Sequence, residues 1–221
     1  MNQISFISIA QKKKLKCKRF LDEMKKVIPW ERLTSEIAPY YQEQQQGRKK
    51  KELLLMMKIY FLQQWYGLSD HGAEEAIYDR ISFQKFLKLD LLSQGAPDET
   101  TILNFRHLLE KHNLQKKLFL AVKKHLETKG MIVKAGTIVD ATLIAAPSST
   151  KNEEKQRDPD MSSTKKGHQW YFGMNAHIGV DTKSGLVHTV ATTTARVHDS
   201  QAIDELLHGK EKAVFGDKRI C

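Results

Sequence analysis

The sequence lacks several features that would place the protein in a common functional class. It has only two cysteines among 221 residues, Cys17 and Cys221, and neither belongs to a CxxC pair or a Cys/His cluster. A disulfide framework and a cysteine-based zinc site are therefore not implied. No GxxxxGK[ST] loop, Ser-His-Asp arrangement or internal repeat appears, so P-loop nucleotide hydrolysis and repeat architectures are unsupported.

Long hydrophobic runs and a secretory leader are missing as well. No apolar stretch approaches the roughly 20 residues that a bilayer-spanning helix needs. The first residues, MNQISFISIAQKKK, carry their positive charge after a short apolar stretch, whereas a secretory signal carries it before. These features predict a cytoplasmic protein.

What the chain has in excess is positive charge near its start. The net charge is +10, and residues 1–60 hold 14 Lys and Arg against 6 Asp and Glu. This basic field favours a polyanionic partner such as nucleic acid, with a merely solvated surface as the alternative. Basic side chains in such runs suit contacts with DNA phosphates, which provide affinity but no specificity for the DNA sequence. The candidate DNA-binding residues are Lys12, Lys13, Lys14, Arg19, Arg48, Lys49, Lys50 and Lys51, with Lys165 and Lys166 farther along the chain.

Residues 1–130 are predicted to be helical and to include the DNA-binding region. Apolar residues recur at helical spacing in KCKRFLDEMKKV, and ELLLMMKIYFLQQWYG is apolar enough for a core helix. Ser69 or Asp70 can cap one helix, and Asp98 or Thr100 can cap another. Residues 69–88 are a candidate helix-turn-helix, although they contain no glycine-marked turn of that motif.

The pattern changes at Gly130 from helical to extended. MIVKAGTIVDATLIAA, WYFGMNAHIGV and LVHTVATTTA are predicted strands, and DTKSG is the hairpin turn between the last two. HDSQAIDELLHG is a predicted helix, and KAVFGDK is one more strand. The polar segment 147–168 is predicted to be a loop. The expected fold class is α+β, with helices first and then, over residues 131–221, a mixed sheet of order β-β-β-α-β.

Two aspartates stand in apolar, strand-like stretches: Asp140 in the middle of GTIVDATLIAA and Asp217 at the end of AVFGD. A crossover through a helix usually makes its two strands parallel neighbours, so both carboxylates would emerge at the same strand ends. Adjacent carboxylates repel each other, and a divalent cation removes that repulsion. Mg²⁺ accepts one or two carboxylates, and two such ions can promote in-line displacement at phosphorus. A cap or turn role for each aspartate is the competing interpretation.

Other polar residues of the sheet region have ordinary structural explanations. A metal trio of His177, His188 and His198 is conceivable, but histidines of a core or hairpin fit the pattern better. Asp181 belongs to the predicted turn and Asp199 to a helix cap, with a surrogate metal ligand as the alternative for each.

Long strings distributed along the chain resemble one family. The strings are VIPWERL, LQQWYGLSD, PDETTILNFRHLLEKH, GTIVDATLIAAPSSTKN, RDPDM, TKKGHQWYFGMNAHIGVDTKSGLVH and LLHGKEKAVFGDK. Through them the chain, over roughly residues 6–218, closely resembles transposases of bacterial insertion-sequence family five. Members of that family are DDE enzymes with an RNase H-like catalytic domain behind a helical N-terminal region.

The resemblance implies a function, a cofactor and partners. It makes Asp140 and Asp217 the first and second catalytic carboxylates, holding Mg²⁺ or Mn²⁺. It implies double-stranded DNA as the partner, both the terminal inverted repeats of the element and target DNA. It also implies a homodimer, because transposition holds two ends together, and a nucleoid-associated place in a bacterial cytoplasm.

Two departures from the family pattern change this expectation. The family's third catalytic residue, a glutamate well after the second aspartate, has no counterpart in these 221 residues. The family's Asp-x-Gly-Tyr reads here as DKRIC, with Arg219 and Ile220 in place of Gly and Tyr. We therefore expect a C-terminally truncated transposase with an incomplete RNase H-like α/β domain and impaired catalysis. The alternative is a non-catalytic DNA-binding protein of the same ancestry that inhibits transposition.

Overall fold

The chain folds as two compact units, one up to His125 and the other from Leu126 onward. The computed structural model describes residues 15–41, 50–91, 95–150 and 156–216, except for the side chains of residues 166 and 199. Helices build the first unit and a mixed sheet dominates the second, so the predicted α+β class is confirmed. Across these ranges, no helix combines the length and the apolar character that a membrane span requires.

Helices account for the regular structure of the first unit within the described ranges, as the apolar spacing predicted. The helices are α1 (Lys16–Val27), α2 (Trp30–Ile37), α3 (Leu53–Tyr66), α4 (Asp70–Asp79), α5 (Ile81–Leu87), α6 (Glu99–Lys111) and α7 (Leu114–Thr128), the last of which runs across the boundary between the units. A short 3₁₀ turn at Ala38–Tyr40 follows α2.

The core of the first unit forms around α3, whose sequence LLLMMKIYFLQQWY is apolar on nearly every side. Met57 and Leu62 of this helix are at most 1% exposed. The predicted caps also form, since Ser69 Oγ accepts the N–H of Gly72 and the Asp98 carboxylate accepts the N–H of Thr101. The core-helix prediction is confirmed, whereas the helix-turn-helix role of α4 and α5 stays a prediction.

A charged network joins three helices of this unit. Arg106 of α6 donates to Asp70 of α4 through Nε at 3.3 Å and through Nη2 at 2.7 Å. Gln63 of α3 donates to the same carboxylate at 2.9 Å, and Arg106 Nη1 also donates to Glu110 at 3.0 Å. The hydrogen bonds from Arg106 are the largest cause of a lowered pKa of Asp70, and they outweigh the opposing effect of burial. The two-bond geometry depends on the planar guanidinium.

We expect Arg106→Lys to lower the free energy of unfolding by about 1 kcal/mol, because a lysine cannot reproduce the paired hydrogen bonds to Asp70. The matched control is Glu110→Gln, which removes only the more exposed half of the network and should cost less than about 0.5 kcal/mol. Urea unfolding followed by tryptophan fluorescence measures both variants. Equal losses in the two variants would contradict a special role for the Asp70 pair.

The second unit contains a mixed sheet that is mainly antiparallel. The strands run in the order β2-β3-β1-β5, and β4 also pairs with β3. All pairs to β3 are antiparallel, whereas β5 runs parallel to β1. A 3₁₀ turn at Asp199–Gln201 and a one-turn helix, α8 (Ile203–Leu206), connect β4 to β5. The strands are β1 (Thr137–Ala145), β2 (Ser162–Lys166), β3 (Gln169–Asp181), β4 (Val187–Thr194) and β5 (Val214–Phe215).

Two details of the sequence prediction need correction. The segment 147–168 is not a loop throughout, because Ser162–Lys166 forms β2 and adds a strand to the predicted order. Its polar sequence SSTKK carries no apolar alternation; the ladder of hydrogen bonds offered by the long β3 holds it instead. The helix predicted in HDSQAIDELLHG is also shorter, with only one α-helical turn at Ile203–Leu206.

The two faces of the sheet have different surroundings. The packed face carries Val139 and the fully buried His177, and Leu206 of α8 lies against it. The open face carries Asp140, which lies opposite Ile178 in the β1–β3 pair, and Trp170, which is 67% exposed. The alternation of side chains along β3 was predicted correctly. The more apolar side of this strand, however, belongs to the open face of the sheet and not to the packed face.

Candidate metal centre

The start of β1 is shaped by close contact with the chain that leads into β5. Thr137 N–H donates to the carbonyl of Ala213, and Lys212 N–H donates to the carbonyl of Ala135, both at 3.1 Å. A Cβ at Gly136 would lie 2.9 Å from the Ala213 carbonyl oxygen, so only glycine allows this approach without a shift. The glycine that opens GTIVDAT therefore places β5 beside the strand of Asp140.

Asp181 clamps the start of β1 to the β3–β4 hairpin. It is fully buried and accepts hydrogen bonds from Lys134 N–H at 2.8 Å, Ser184 N–H at 2.9 Å and the Ser184 hydroxyl at 2.6 Å. Burial raises the pKa of Asp181, but these hydrogen bonds outweigh it and hold the pKa at about 2. Asp181 is thus a turn residue, as the sequence indicated. Both of its carboxylate oxygens already accept hydrogen bonds from neighbouring groups of the protein.

A buried polar network ties the connector before β5 to the same strand. Thr137 Oγ1 lies 3.1 Å from His188 Nε2 and donates to Glu211 at 3.1 Å. The N–H of His208 donates to the same Glu211 oxygen at 2.6 Å. No local motif in the sequence marks Glu211, because its contact with Thr137 joins residues 74 positions apart.

Asp140 lies on β1 with its side chain exposed. Its carboxylate accepts the N–H of Ala141 at 2.8 Å, and no residue in the described ranges forms an ion pair with it. A groove of about 580 Å³ opens beside it. The groove is lined by Ile138, Val139, Asp140, Thr182, Phe215 and Gly216.

An exposed carboxylate is the type of donor that Mg²⁺ prefers, so Asp140 fits the predicted ion. Asp217, the second predicted ligand, lies outside the described residues. Within the described parts of the chain, no three His, Cys, Asp or Glu side chains are grouped so as to hold a metal ion. The metal pair of Asp140 and Asp217 therefore stays a prediction.

The three histidines of the sheet region have structural roles and are not brought together as ligands. His177 is fully buried and lies 2.8 Å from the Thr193 hydroxyl. His188 is 1% exposed, whereas His198 is exposed and contacts Ser200 at 2.9 Å. The interpretation of His177 and His188 as core residues is confirmed.

The candidate DNA-binding residues are distributed over both units. Arg19 is exposed on α1, and Lys165 is exposed on β2 beside Lys166. Lys50 Nζ lies 4.9 Å from the centroid of the Tyr41 ring, and Lys51 Nζ donates to Gly95 O at 3.5 Å. The others, Lys12, Lys13, Lys14, Arg48 and Lys49, lie outside the described residues. A DNA contact for each of these residues remains a prediction.

Comparison with known protein families gives one match in each half of the chain. Residues 9–108 match the family described as Transposase domain (DUF772). Residues 133–221 match the family described as Transposase DDE domain, and the mixed sheet is consistent with the RNase H-like fold of such a domain. No solved structure matches the chain. Two transposase-domain matches, which together cover most of the sequence, support the identification of this protein as a transposase.

Proposed function

We propose that this protein acts in the metal-dependent cleavage and transfer of DNA strands during transposition of an insertion sequence of family five. The supporting observation is the register of the β1–β5 pair, in which Ile138 lies opposite Phe215 in parallel strands. Asp140 and Asp217 each follow a member of this pair by two residues, and we infer that their carboxylates lie close together. Two neighbouring carboxylates are what a two-metal centre requires.

The proposed roles of the residues follow from their chemistry. Mg²⁺ or Mn²⁺, when bound, activates a water or a 3′-hydroxyl and stabilises the leaving oxygen at phosphorus. Asp140 and Asp217 would hold the ion and thereby fix the position of the scissile phosphate. The groove of about 580 Å³ beside Asp140 is the proposed place for the DNA backbone.

The proposed partner is double-stranded DNA, both the inverted repeats at the ends of the element and the target. Exposed basic residues such as Arg19 and Lys165 would contact phosphates and position the duplex, since such contacts carry affinity rather than sequence information. A homodimer would hold the two ends together.

The sequence after the second aspartate leads us to propose that catalysis is impaired. Arg219 and Ile220 replace the glycine and tyrosine of the family pattern directly after the Asp217–Lys218 pair. A charged and a β-branched residue there would disturb the backbone that carries the metal ligand. Slow cleavage is therefore expected rather than none.

The test is cleavage and strand joining on labelled duplexes that carry the inverted repeats of the element. We expect product only with Mg²⁺ or Mn²⁺, none with EDTA, and less with a scrambled repeat of equal length. Restoring glycine and tyrosine through Arg219→Gly and Ile220→Tyr together should raise the rate. Binding of the repeats without cleavage in either metal would reject the enzymatic proposal and favour the inhibitor.

A further inference from the structure

The hairpin of β2 and β3 extends beyond the end of β1 and carries an exposed tryptophan. The pairing of β1 with β3 ends at Ala145 and Gly173, and the residues of β3 before that point pair with β2. A two-residue turn that begins at Gly167 joins the two strands, and the φ of 65° at this glycine is what such turns require. Trp170 is therefore held near the tip of a tight hairpin.

The Trp170 side chain is 67% exposed, the highest value among the large apolar side chains in the described ranges. Single exposed apolar residues are common on protein surfaces. Trp170, however, begins a row of apolar side chains on the open face of the sheet, and Phe172, Met174 and Ile178 continue it, each partly exposed. The hairpin thus presents an aromatic surface rather than an isolated side chain.

Basic side chains lie beside this aromatic surface. Lys165 is exposed and lies directly opposite Trp170 in the β2–β3 pair, so the two side chains share one face with Cβ atoms about 5 Å apart. Arg157 is also exposed, and its Cζ lies 5.5 Å from the centroid of the Phe172 ring. Two cations and two aromatic rings therefore meet at one end of the open face.

A groove or surface that combines cations with aromatic rings is typical of sites for unpaired nucleic acid strands, because bases stack on the rings and phosphates contact the cations. Residues 161–180 contain no Asp or Glu, which favours an anionic partner. We propose that the end of the β2–β3 hairpin binds an unpaired segment of a DNA strand, with Trp170 stacking on a base and Lys165 and Arg157 contacting its phosphates. The proposal rests on the proposed function in DNA strand transfer, but not on the metal ligands.

The hairpin site lies on the face of the sheet that also carries Asp140. Asp140 is paired with Ile178, which follows Trp170 by eight residues in β3. At about 3.3 Å per residue, this is about 26 Å along the strand, or about eight nucleotides at the spacing of roughly 3.4 Å in one strand of B-DNA. We therefore expect the stacked base within about eight nucleotides of the phosphate that is cleaved.

The test measures binding of the full-length chain to an oligothymidine of about 16 nucleotides, in EDTA so that cleavage plays no part. Affinity is measured by fluorescence anisotropy, and stacking by quenching of the tryptophan emission. Trp170 is exposed, whereas Trp30 and Trp65 pack against the core of the first unit, so contact with the oligonucleotide should quench the Trp170 emission selectively.

We expect Trp170→Ala to bind the oligothymidine about tenfold more weakly and to lose most of the quenching. Trp170→Phe keeps a ring, so it should bind within about threefold of the wild type while also losing the quenching. Lys165→Met should make the slope of log affinity against log salt shallower by about 0.7, the value for one phosphate contact of a single strand. The matched control is Leu120→Ala, which removes a 48% exposed side chain from α7 and should leave affinity unchanged.

Wild-type affinity in Trp170→Ala would overturn the base-stacking site, as would a loss of equal size in Leu120→Ala. Sedimentation analysis adds a further check: a change of oligomeric state in Trp170→Ala with unchanged affinity would assign this surface to a second copy of the chain instead. If the oligothymidine binds as expected but the inverted repeats are never cleaved, the catalytic proposal fails and the hairpin site stands. If the repeats are cleaved but Trp170→Ala behaves as the wild type, only the hairpin site fails.

Discussion

Asp140→Asn is expected to lower metal-dependent DNA cleavage by at least about a hundredfold while leaving the fold intact. Asparagine has nearly the same shape but no charge, so the proposed ion would lose one of its few protein ligands. The fold should survive because Asp140 is exposed and, within the described ranges, its carboxylate accepts a hydrogen bond only from the N–H of the neighbouring Ala141. Initial cleavage rates in Mg²⁺ and Mn²⁺, together with a thermal melt, measure the two effects separately.

The control for this experiment is Thr142→Ala, which changes the next exposed position on the same face of β1. It should retain cleavage within about threefold of the wild type, since a threonine hydroxyl is not needed to hold the ion in the proposed site. A rate for Asp140→Asn that matches this control would remove Asp140 from the metal centre. A large loss in both variants would show that the open face as a whole matters, rather than one carboxylate.

Asp181→Asn is expected to cost about 2 kcal/mol of unfolding free energy at neutral pH. The pKa of Asp181 falls from 3.8 to about 2 on folding, and this difference converts to a stabilisation of that size. The amide N–H₂ would also face either the Lys134 N–H or the Ser184 donors, both of which now meet an ionised acceptor. Urea unfolding gives the free energy.

The same shift predicts how stability depends on pH. Because folding lowers the pKa of Asp181, its stabilisation is complete above about pH 5 and is lost as the pH falls through 3.8 toward about 2. In Asp181→Asn this part of the acid-induced loss should be absent. Asp158→Asn is the matched control, since its carboxylate accepts one backbone N–H in an exposed turn. A control with the same pH profile as Asp181→Asn would contradict the clamp.

The helices show how far sequence patterns reach. The spacing of apolar residues and the caps at Ser69 and Asp98 predicted α1, α3, α4 and α6 close to their observed limits, because these signals act within a few residues of one another. In the sheet, the alternation of WYFGMNAHIGV likewise predicted β3. Interactions between residues close in the sequence dominate these elements, so local sequence patterns are enough to predict them.

The same patterns failed where a distant partner decides the structure. The polar segment Ser162–Lys166 becomes a strand because β3 is long enough to pair with it, and no feature of SSTKK indicates this. The apolar alternation of β3 did not reveal which side is covered, since that depends on where α8 lies. Lys58 illustrates the converse, because a lone charge in an apolar helix is visible in the sequence but its aromatic and cationic neighbours are not.

For the candidate site, the sequence by itself determined the residue types and their order: a strand with Asp140 in it, a glycine at its start, a crossover, and a second apolar stretch before Asp217. The parallel pairing of the two strands was also predicted, and it is confirmed. Only the tertiary structure decided the register, with Ile138 opposite Phe215, and the groove beside Asp140. The physical reason is that register and burial come from contacts between segments far apart in the chain. Thr137 with Glu211 and Gly136 with Ala213 are such contacts, and their energies depend on the packing of the whole sheet.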